Sequence, residues 1–147
     1  MSMKHETLTI SRTINHPPAR VFRAFTTNAE LEKWSPPDAA MNMRIQEGTC
    51  EPGGRLVWVC GPGEAEGVRV VSDYFHLAEG ETVLFSEAVY MQDDVLSVAL
   101  VTVSLSGSTT TQLEITAQVS ALDASTVEGY SDGWNQALGN LDAFLSG

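Results

Sequence analysis

The sequence predicts an α+β fold in which a curved, seven-stranded antiparallel sheet wraps around a long C-terminal helix. An alternating segment opens the chain, six further strand-like segments follow across short turns, and an amphipathic segment closes it. A one-sided sheet and one long helix can bury their apolar faces against each other. The chain has 147 residues, of which 43% are hydrophobic and 18% charged. These values are typical of one globular domain, so we expect residues 1–147 to form a single domain.

The first predicted element is a half-buried strand over residues 7–14. Leu8, Ile10 and Ile14 alternate with polar residues, which places them on one face of a strand. Arg12 falls on this same apolar face. We therefore expect Arg12 at a rim of the core, paired with a carboxylate.

Two short helices are expected next. Pro17 and Pro18 stop the strand, and proline is compatible with the first turn of a helix. Thr27 and Glu30 have the spacing of a capping box, which predicts a second helix from this point. That helix should end before Pro36, because the residue before a proline avoids the helical conformation.

Residues 43–119 are predicted to be β-structure. Short breaks rich in glycine, proline and aspartate separate the apolar segments, and such breaks join antiparallel neighbours. We expect strands at residues 43–47, 55–60, 67–77, 82–90, 97–105 and 110–119. The last two strands each have one apolar face and one polar face, which predicts a sheet that is covered on one side only.

The last predicted element is a helix over residues 125–145. Apolar side chains recur there every three or four residues, at Val127, Tyr130, Trp134, Leu138, Leu141 and Leu145. Ser125 and Glu128 have the spacing of a second capping box. Three glycines interrupt the helix, and each costs roughly 1 kcal/mol relative to alanine. We expect Gly129, Gly133 and Gly139 to mark places where the helix backbone packs closely against the sheet. The alternative interpretation is that the helix backbone comes close to a ligand there.

Charge is unevenly distributed along the chain. Every Lys and Arg lies at or before Arg69, whereas residues 70–147 are acidic and hold no Lys or Arg. The formal net charge of −11 argues against nucleic acid and against an anionic membrane surface, since both attract clustered basic residues. We interpret the acidic charge of residues 70–147 as a feature that keeps the protein soluble. The alternative is that these acidic residues form a binding face for a basic protein partner.

We expect a cytoplasmic protein without a membrane span, a cofactor or a metal. No segment resembles a signal peptide or approaches the ~20 apolar residues of a spanning helix. Cys50 and Cys60 are expected to be reduced thiols. The histidines are scattered, and no His pair or Cys-x-x-Cys motif suggests a metal site.

Several stretches resemble a known family in their order and spacing. They are residues 10–14 (ISRTI) with Pro17, 21–25 (VFRAF), 31–34 (LEKW) with Pro36, 51–54 (EPGG), 101–103 (VTV) and 133–145, which begins Gly-Trp. Together they resemble the AHSA1-like branch, the activator of Hsp90 ATPase homologues, of the SRPBCC superfamily. The resemblance implies the helix-grip fold, also called START-like or Bet v 1-like.

The resemblance further implies a cavity between sheet and helix that often holds a hydrophobic small molecule. Polyketide cyclases and lipid carriers belong to the same superfamily. The co-chaperone of this family has an additional N-terminal domain, which we do not expect here. The family also commonly has a doubled tryptophan where this chain has Trp34 followed by Ser35.

The candidate ligand-binding wall is aromatic and rich in methionine, as small-molecule sites often are. Its expected members are Trp34, Met41, Met43, Trp58, Phe75, Phe85, Tyr90, Tyr130 and Trp134. Glu87 is a weak catalytic candidate, because it shares a predicted strand face with apolar residues. Burial would raise its pKa and suit it to acid–base chemistry, although an ion pair with Arg12 or Arg69 is the more common fate.

Three functions remain open. The sequence has no nucleophile elbow, zinc-protease motif, dinucleotide fingerprint or phosphate-binding loop. We therefore favour a protein that binds or carries a small hydrophobic molecule without chemistry. The alternatives are a cyclase or aldol-type enzyme that uses a cavity carboxylate, and an interaction module, Hsp90-related or otherwise, that uses the acidic half. The sequence gives little support for a homodimer.

Overall fold

The structure, a computed structural model, describes residues 3–36, 41–61 and 67–147. In chain order its elements are β1 (Lys4–Ile14), α1 (Pro18–Thr26), α2 (Asn28–Trp34), β2 (Asn42–Glu47), β3 (Arg55–Gly61), β4 (Val68–Ala78), β5 (Thr82–Met91), β6 (Asp94–Gly107), β7 (Thr111–Ala121) and α3 (Ala124–Ser146). The predicted order of strands and helices is confirmed.

The seven strands form one antiparallel sheet in the order β1-β7-β6-β5-β4-β3-β2. Strands β2 to β7 follow one another as a meander, and β1 completes the sheet beside β7, from Lys4 opposite Ala121 to Ile14 opposite Thr111. Register shifts interrupt the β2–β3, β4–β5 and β5–β6 ladders. Such irregularities bend the strands and increase their twist, which is how this sheet curves.

The two faces of the sheet differ in polarity, as the alternation predicted. On β6 and β7, Val101, Val103, Leu113 and Ile115 are buried on what we call the inner face, the face that packs against α3. The residues between them point to the opposite, outer face, where Glu114 is exposed. The core of the protein therefore lies on one side of the sheet.

Helix α3 crosses the inner face and begins at Asp123. The Asp123 carboxylate accepts the backbone N–H and the hydroxyl of Thr126, both at 2.8 Å. The capping box predicted at Ser125 is wrong by two residues, because Asp123 has the extended backbone that an N-cap requires. The capping box predicted at Thr27 is also wrong, since the Thr27 side chain makes no capping hydrogen bond to α2.

The short helices α1 and α2 cover one end of the inner face. Trp34, at the end of α2, donates its indole N–H to the carbonyl of Ala24 at 3.0 Å and packs edge-on against Phe25 at a centroid distance of 4.7 Å. Asn140 of α3 donates its side-chain amide to the carbonyls of Trp34 and Pro36. These contacts hold α2 against α3 and fix the position of the Trp34 ring.

Arg12 joins β1 to α3 through an amide. Its guanidinium donates to Asn135 Oδ1 at 3.0 Å. The carboxylate partner predicted for Arg12 is therefore wrong, because its side-chain partner on α3 is the neutral amide of Asn135.

None of the helices in the described ranges is long and apolar enough to cross a bilayer.

Candidate functional site

A cavity of about 190 Å³ lies between α3, the two short helices and strands β2 to β5, and it is partly open to solvent. The helices contribute Phe25, Leu31, Trp34, Gly129, Tyr130, Gly133, Trp134 and Ala137, and Ser35 follows α2. The strands contribute Met43, Trp58, Cys60, Val68, Val70, Ser72, Tyr74, Phe85, Glu87 and Val89. Most of this wall is aromatic or aliphatic.

The strand side of the wall follows from alternation along β4 and β5. The even-numbered residues from Val68 to Tyr74 and the odd-numbered residues from Phe85 to Val89 share the inner face. In the ladder, Ser72 lies opposite Glu87. Directly opposite residues on one face are close neighbours, so this serine and this carboxyl stand side by side in the wall.

The helix side of the wall is one stripe of α3. Gly129, Tyr130, Gly133, Trp134 and Ala137 recur at spacings of three and four, which brings them to one side of the helix. A Cβ added at Gly129 would have no neighbouring atom within 4 Å, so the close approach of this glycine to the sheet, the favoured interpretation, is wrong. A close approach of Gly129 to a ligand stays a prediction. Gly129 is exposed and leaves an open position at the rim of the cavity.

Six of the predicted wall residues line the cavity: Trp34, Met43, Trp58, Phe85, Tyr130 and Trp134. The structure thus brings together all three tryptophans of the chain around one space. That these side chains bind a ligand stays a prediction.

The other three predicted wall residues lie elsewhere. Phe75 is 55% exposed, because it follows the inward-facing Tyr74 on β4 and so points to the outer face. Tyr90 also points outward, where the Arg69 guanidinium lies 4.7 Å from its ring centroid. Met41 precedes β2 and is not part of the wall. Their placement in the cavity wall is wrong.

Among the described residues of the cavity wall, Glu87 carries the carboxyl group. The Tyr130 hydroxyl donates to Glu87 Oε1 at 2.8 Å. The predicted ion pair is wrong for both arginines, because Arg12 bonds to Asn135 and Arg69 lies on the outer face. Within the described wall, no basic side chain faces this carboxyl.

The surroundings of Glu87 shift its acidity. Burial raises the pKa of Glu87, and the Tyr130 hydrogen bond opposes that effect in part. Burial, followed by the nearby Glu87 charge, raises the pKa of Tyr130 well above its usual value. The pair can therefore hold a proton that an exposed carboxyl would release, which is the property of a general acid or of a proton-sharing binding group.

The stability of the protein should depend on pH through Glu87. Its pKa is raised in the folded state above the ordinary value of 4.5, so the native state binds this proton more tightly than the unfolded state. Stability is then lost as pH rises through the folded pKa. Glutamine does not titrate, so Glu87→Gln should gain stability relative to wild type between pH 4.5 and neutral pH, measured by urea unfolding at several pH values.

Glu114→Gln is the control for this pH series, since it removes an equal charge from the exposed outer face. A stability difference between Glu87→Gln and wild type that does not change with pH would contradict the assignment of Glu87 as a buried titrating group.

The two cysteines are reduced thiols. Burial raises the pKa of Cys50 to about 11, against a smaller lowering effect of the Tyr74 hydroxyl. Only a thiolate is a strong nucleophile, so Cys50 is poorly suited to covalent catalysis near neutral pH. Among the described residues, no group of three or more His, Cys, Asp or Glu side chains is placed to hold a metal ion.

Three residues of β4 that line the cavity were not among the predicted wall residues. Val70, Ser72 and Tyr74 alternate along β4 and share the inner face with the predicted Trp58. The alternation was the signal that could have identified them. Trp58 has a further property, since its indole N–H is buried without a hydrogen-bond partner in the described part of the chain.

Comparison with known proteins identifies the family. Residues 15–146 match the family described as "Activator of Hsp90 ATPase homolog 1-like protein". The fold is similar to that of a Rhizobium loti protein, with 28% identity, a TM-score of 0.81, and coverage of 98% of this chain and 99% of that one. A protein from Chromobacterium violaceum is similar at 26% identity and a TM-score of 0.80, over 93% of this chain and 94% of that one.

A Silicibacter pomeroyi protein named AHSA1 shares the fold, with 19% identity, a TM-score of 0.80, and coverage of 96% of this chain and 98% of that one. No curated protein gave a significant match. The family match spans nearly the whole chain, in agreement with the helix-grip architecture and with the sequence resemblance. The chain therefore belongs to the AHSA1-like family, within the SRPBCC superfamily.

Proposed function

We propose that the protein binds a small apolar molecule in the cavity between α3 and the sheet. The observation that carries this proposal is a solvent-connected space whose wall is mostly aromatic and aliphatic. Ligand sites combine such a wall with a few polar groups that orient the ligand. Glu87, Tyr130 and Ser72 are among the polar groups here.

The size of the space limits the ligand. The cavity measures about 190 Å³, and an apolar cavity of about 150 Å³ holds benzene. We therefore infer a ligand with about one aromatic ring and a short substituent. A long acyl chain or a fused polycyclic molecule would require the helix and the sheet to separate.

Intrinsic fluorescence tests the proposal directly, because all three tryptophans line the cavity. Toluene, 2-phenylethanol and related one-ring probes should change the emission and raise the thermal midpoint in a concentration-dependent way. Stabilisation by a ligand follows mass action and reaches about 2.7 kcal/mol at a hundredfold excess over Kd.

A matched pair of variants locates the binding. Val70 faces the cavity, whereas its neighbour Val71 lies on the opposite face of β4. Val70→Phe fills the space and should abolish probe binding, while Val71→Phe adds the same bulk outside it and should leave binding intact. Equal binding by both folded variants would exclude the cavity as the site.

A second candidate function is acid–base catalysis by the Glu87–Tyr130 pair. The buried, hydrogen-bonded carboxyl favours it, since burial raises the pKa of Glu87 toward the range of a general acid or base. The reaction would be of the cyclase or aldol type, in which the cavity positions a carbonyl compound and Glu87 moves one proton. Turnover lost in Glu87→Gln, with probe binding retained, would distinguish this enzyme from a carrier.

We propose that residues 1–147 form one domain. The family match spans residues 15–146, and β1 and α3, from the two ends of the chain, contribute to one hydrophobic core. Limited proteolysis that leaves a single resistant core would support this organisation, and two separable fragments would oppose it.

A further inference from the structure

We propose that the cavity selects a one-ring ligand that carries a positively charged amine, with the ammonium group beside Glu87 and the ring among the aromatic side chains. This inference rests on the proposed function, because it names the chemical class of the ligand that the same cavity takes.

The charge of the wall favours a cation. Glu87 is the charged side chain among the wall residues that the structure describes, and that wall contains no Lys, Arg or His. Glu87 and α3 both belong to the part of the chain after Arg69, which holds no Lys or Arg. A ligand carboxylate would therefore meet a like charge with no cation to compensate it, whereas an ammonium would meet an opposite charge in a water-poor site.

The hydrogen-bonding capacity of Glu87 also favours a donor. The Tyr130 hydroxyl donates to Oε1, but an ionised carboxylate offers about four acceptor positions on its two oxygens. An ammonium group carries three donors and no acceptor. It can therefore satisfy acceptor positions on Glu87 that a hydrocarbon would leave desolvated.

The aromatic side chains around Glu87 suit the same ligand. Tyr130 and Trp134 lie on α3, and Tyr74 lies on β4 beside the stacked ring of Phe85, at a centroid distance of 5.2 Å. The faces of such rings attract cations, and aromatic cages bind ammonium groups in this way. The cavity of about 190 Å³ leaves room for one ring and a short linker, so 2-phenylethylamine is a suitable probe.

The test compares three probes of similar shape by calorimetry at pH 7: 2-phenylethylamine, 2-phenylethanol and 3-phenylpropionate. Charge-assisted hydrogen bonds are about twice as strong as neutral ones. We expect the amine to bind at least ~10-fold more tightly than the alcohol, and the carboxylate to bind most weakly. In Glu87→Gln the amine and the alcohol should bind within about threefold of each other.

Glu114→Gln is the matched control, because it removes one negative charge from the exposed outer face. It should keep the preference for the amine. A preference that disappears in Glu114→Gln but survives in Glu87→Gln would show that surface charge causes it, and would overturn the inference.

A measurement on the wild-type protein covers the case in which Glu87→Gln does not fold. Two titratable groups face Glu87: Tyr130 from α3 and Tyr74 from β4. On β6, the residue opposite Glu87 in the ladder is Ala99, which does not titrate. Both tyrosines have a raised pKa, so Glu87 is the group that titrates in acid. Affinity for the amine should fall as Glu87 is protonated, and affinity for the alcohol should not.

The failure of this inference differs from the failure of the proposed function. If the alcohol or the carboxylate binds at least as tightly as the amine, the inference is overturned and the cavity remains an apolar binding site. If none of the probes binds, including toluene, both proposals are overturned.

Discussion

Trp34→Ala should lower the free energy of unfolding by about 3–5 kcal/mol, the range for truncation of a buried aromatic residue. Trp34 is only 2% exposed. The substitution removes its packing against Phe25 and its hydrogen bond to the Ala24 carbonyl at 3.0 Å. It also extends an existing cavity, so the neighbouring side chains cannot easily close the space. Urea unfolding followed by circular dichroism would measure the loss.

Two further variants separate the causes of this effect. Lys33→Ala changes the exposed neighbour of Trp34 on the same helix and should alter stability by no more than about 0.5 kcal/mol. Trp34→Phe keeps a ring but removes the indole N–H, and should lose about 1–3 kcal/mol because the buried Ala24 carbonyl loses its donor. A Trp34→Ala protein as stable as wild type would contradict the packing of the Trp34 side chain of α2 against α1.

Leu141→Ala should lower the free energy of unfolding by about 2–5 kcal/mol. Leu141 has no exposed surface and lies in the core between α3 and the sheet. For a protein of this size, each kcal/mol corresponds to a fall of about 2–4 °C in Tm. The thermal midpoint of the variant should therefore fall by several degrees or more in differential scanning calorimetry.

Asp142 provides the control for Leu141. It is the next residue of α3 and points into solvent, so Asp142→Ala should change stability by no more than about 0.5 kcal/mol. If both substitutions lowered the free energy of unfolding by similar amounts, the Leu141 face of α3 would not pack against the sheet. The cavity between α3 and the sheet would then not be lined as described.

The order of elements could be predicted because each element has a local pattern. The alternation of β6 and β7 and the apolar stripe of α3 are strong signals, and both correspond to the observed burial. The boundaries are less predictable. β1 begins at Lys4, three residues before the predicted start, because its polar first residues pair through backbone hydrogen bonds with β7. Such pairing depends on a partner strand and leaves no periodicity in the sequence.

The strand side of the cavity wall could be predicted where alternation was applied to each residue. Phe85 and Glu87 follow the regular alternation of β5, and both line the cavity. Phe75 follows the same rule, since it comes directly after the inward-facing Tyr74 of β4 and lies on the outer face. The inner positions of β4 are Val68, Val70, Ser72 and Tyr74, so alternation within this strand places Phe75 outward. Apolar character alone then placed Phe75 on the wrong face.

The partners of charged side chains were the least predictable feature. Glu87 was correctly identified as a carboxyl on an apolar strand face, but its partner is a tyrosine hydroxyl from α3 and not an arginine. Arg12 similarly bonds to an amide of α3. Both partners are contributed by a helix more than 40 residues away in the sequence. Such long-range contacts are set by tertiary packing, which no local pattern encodes.

The position of β1 beside β7 has a consequence for how the chain folds. The β2 to β7 meander can assemble hairpin by hairpin, but Lys4 cannot reach its partner Ala121 until both ends of the sheet exist. Proteins dominated by such distant pairings fold in milliseconds to seconds, far more slowly than helical bundles. Until β1 docks, β7 presents an open edge that another chain can extend, and this interval is when newly made copies are most prone to aggregate.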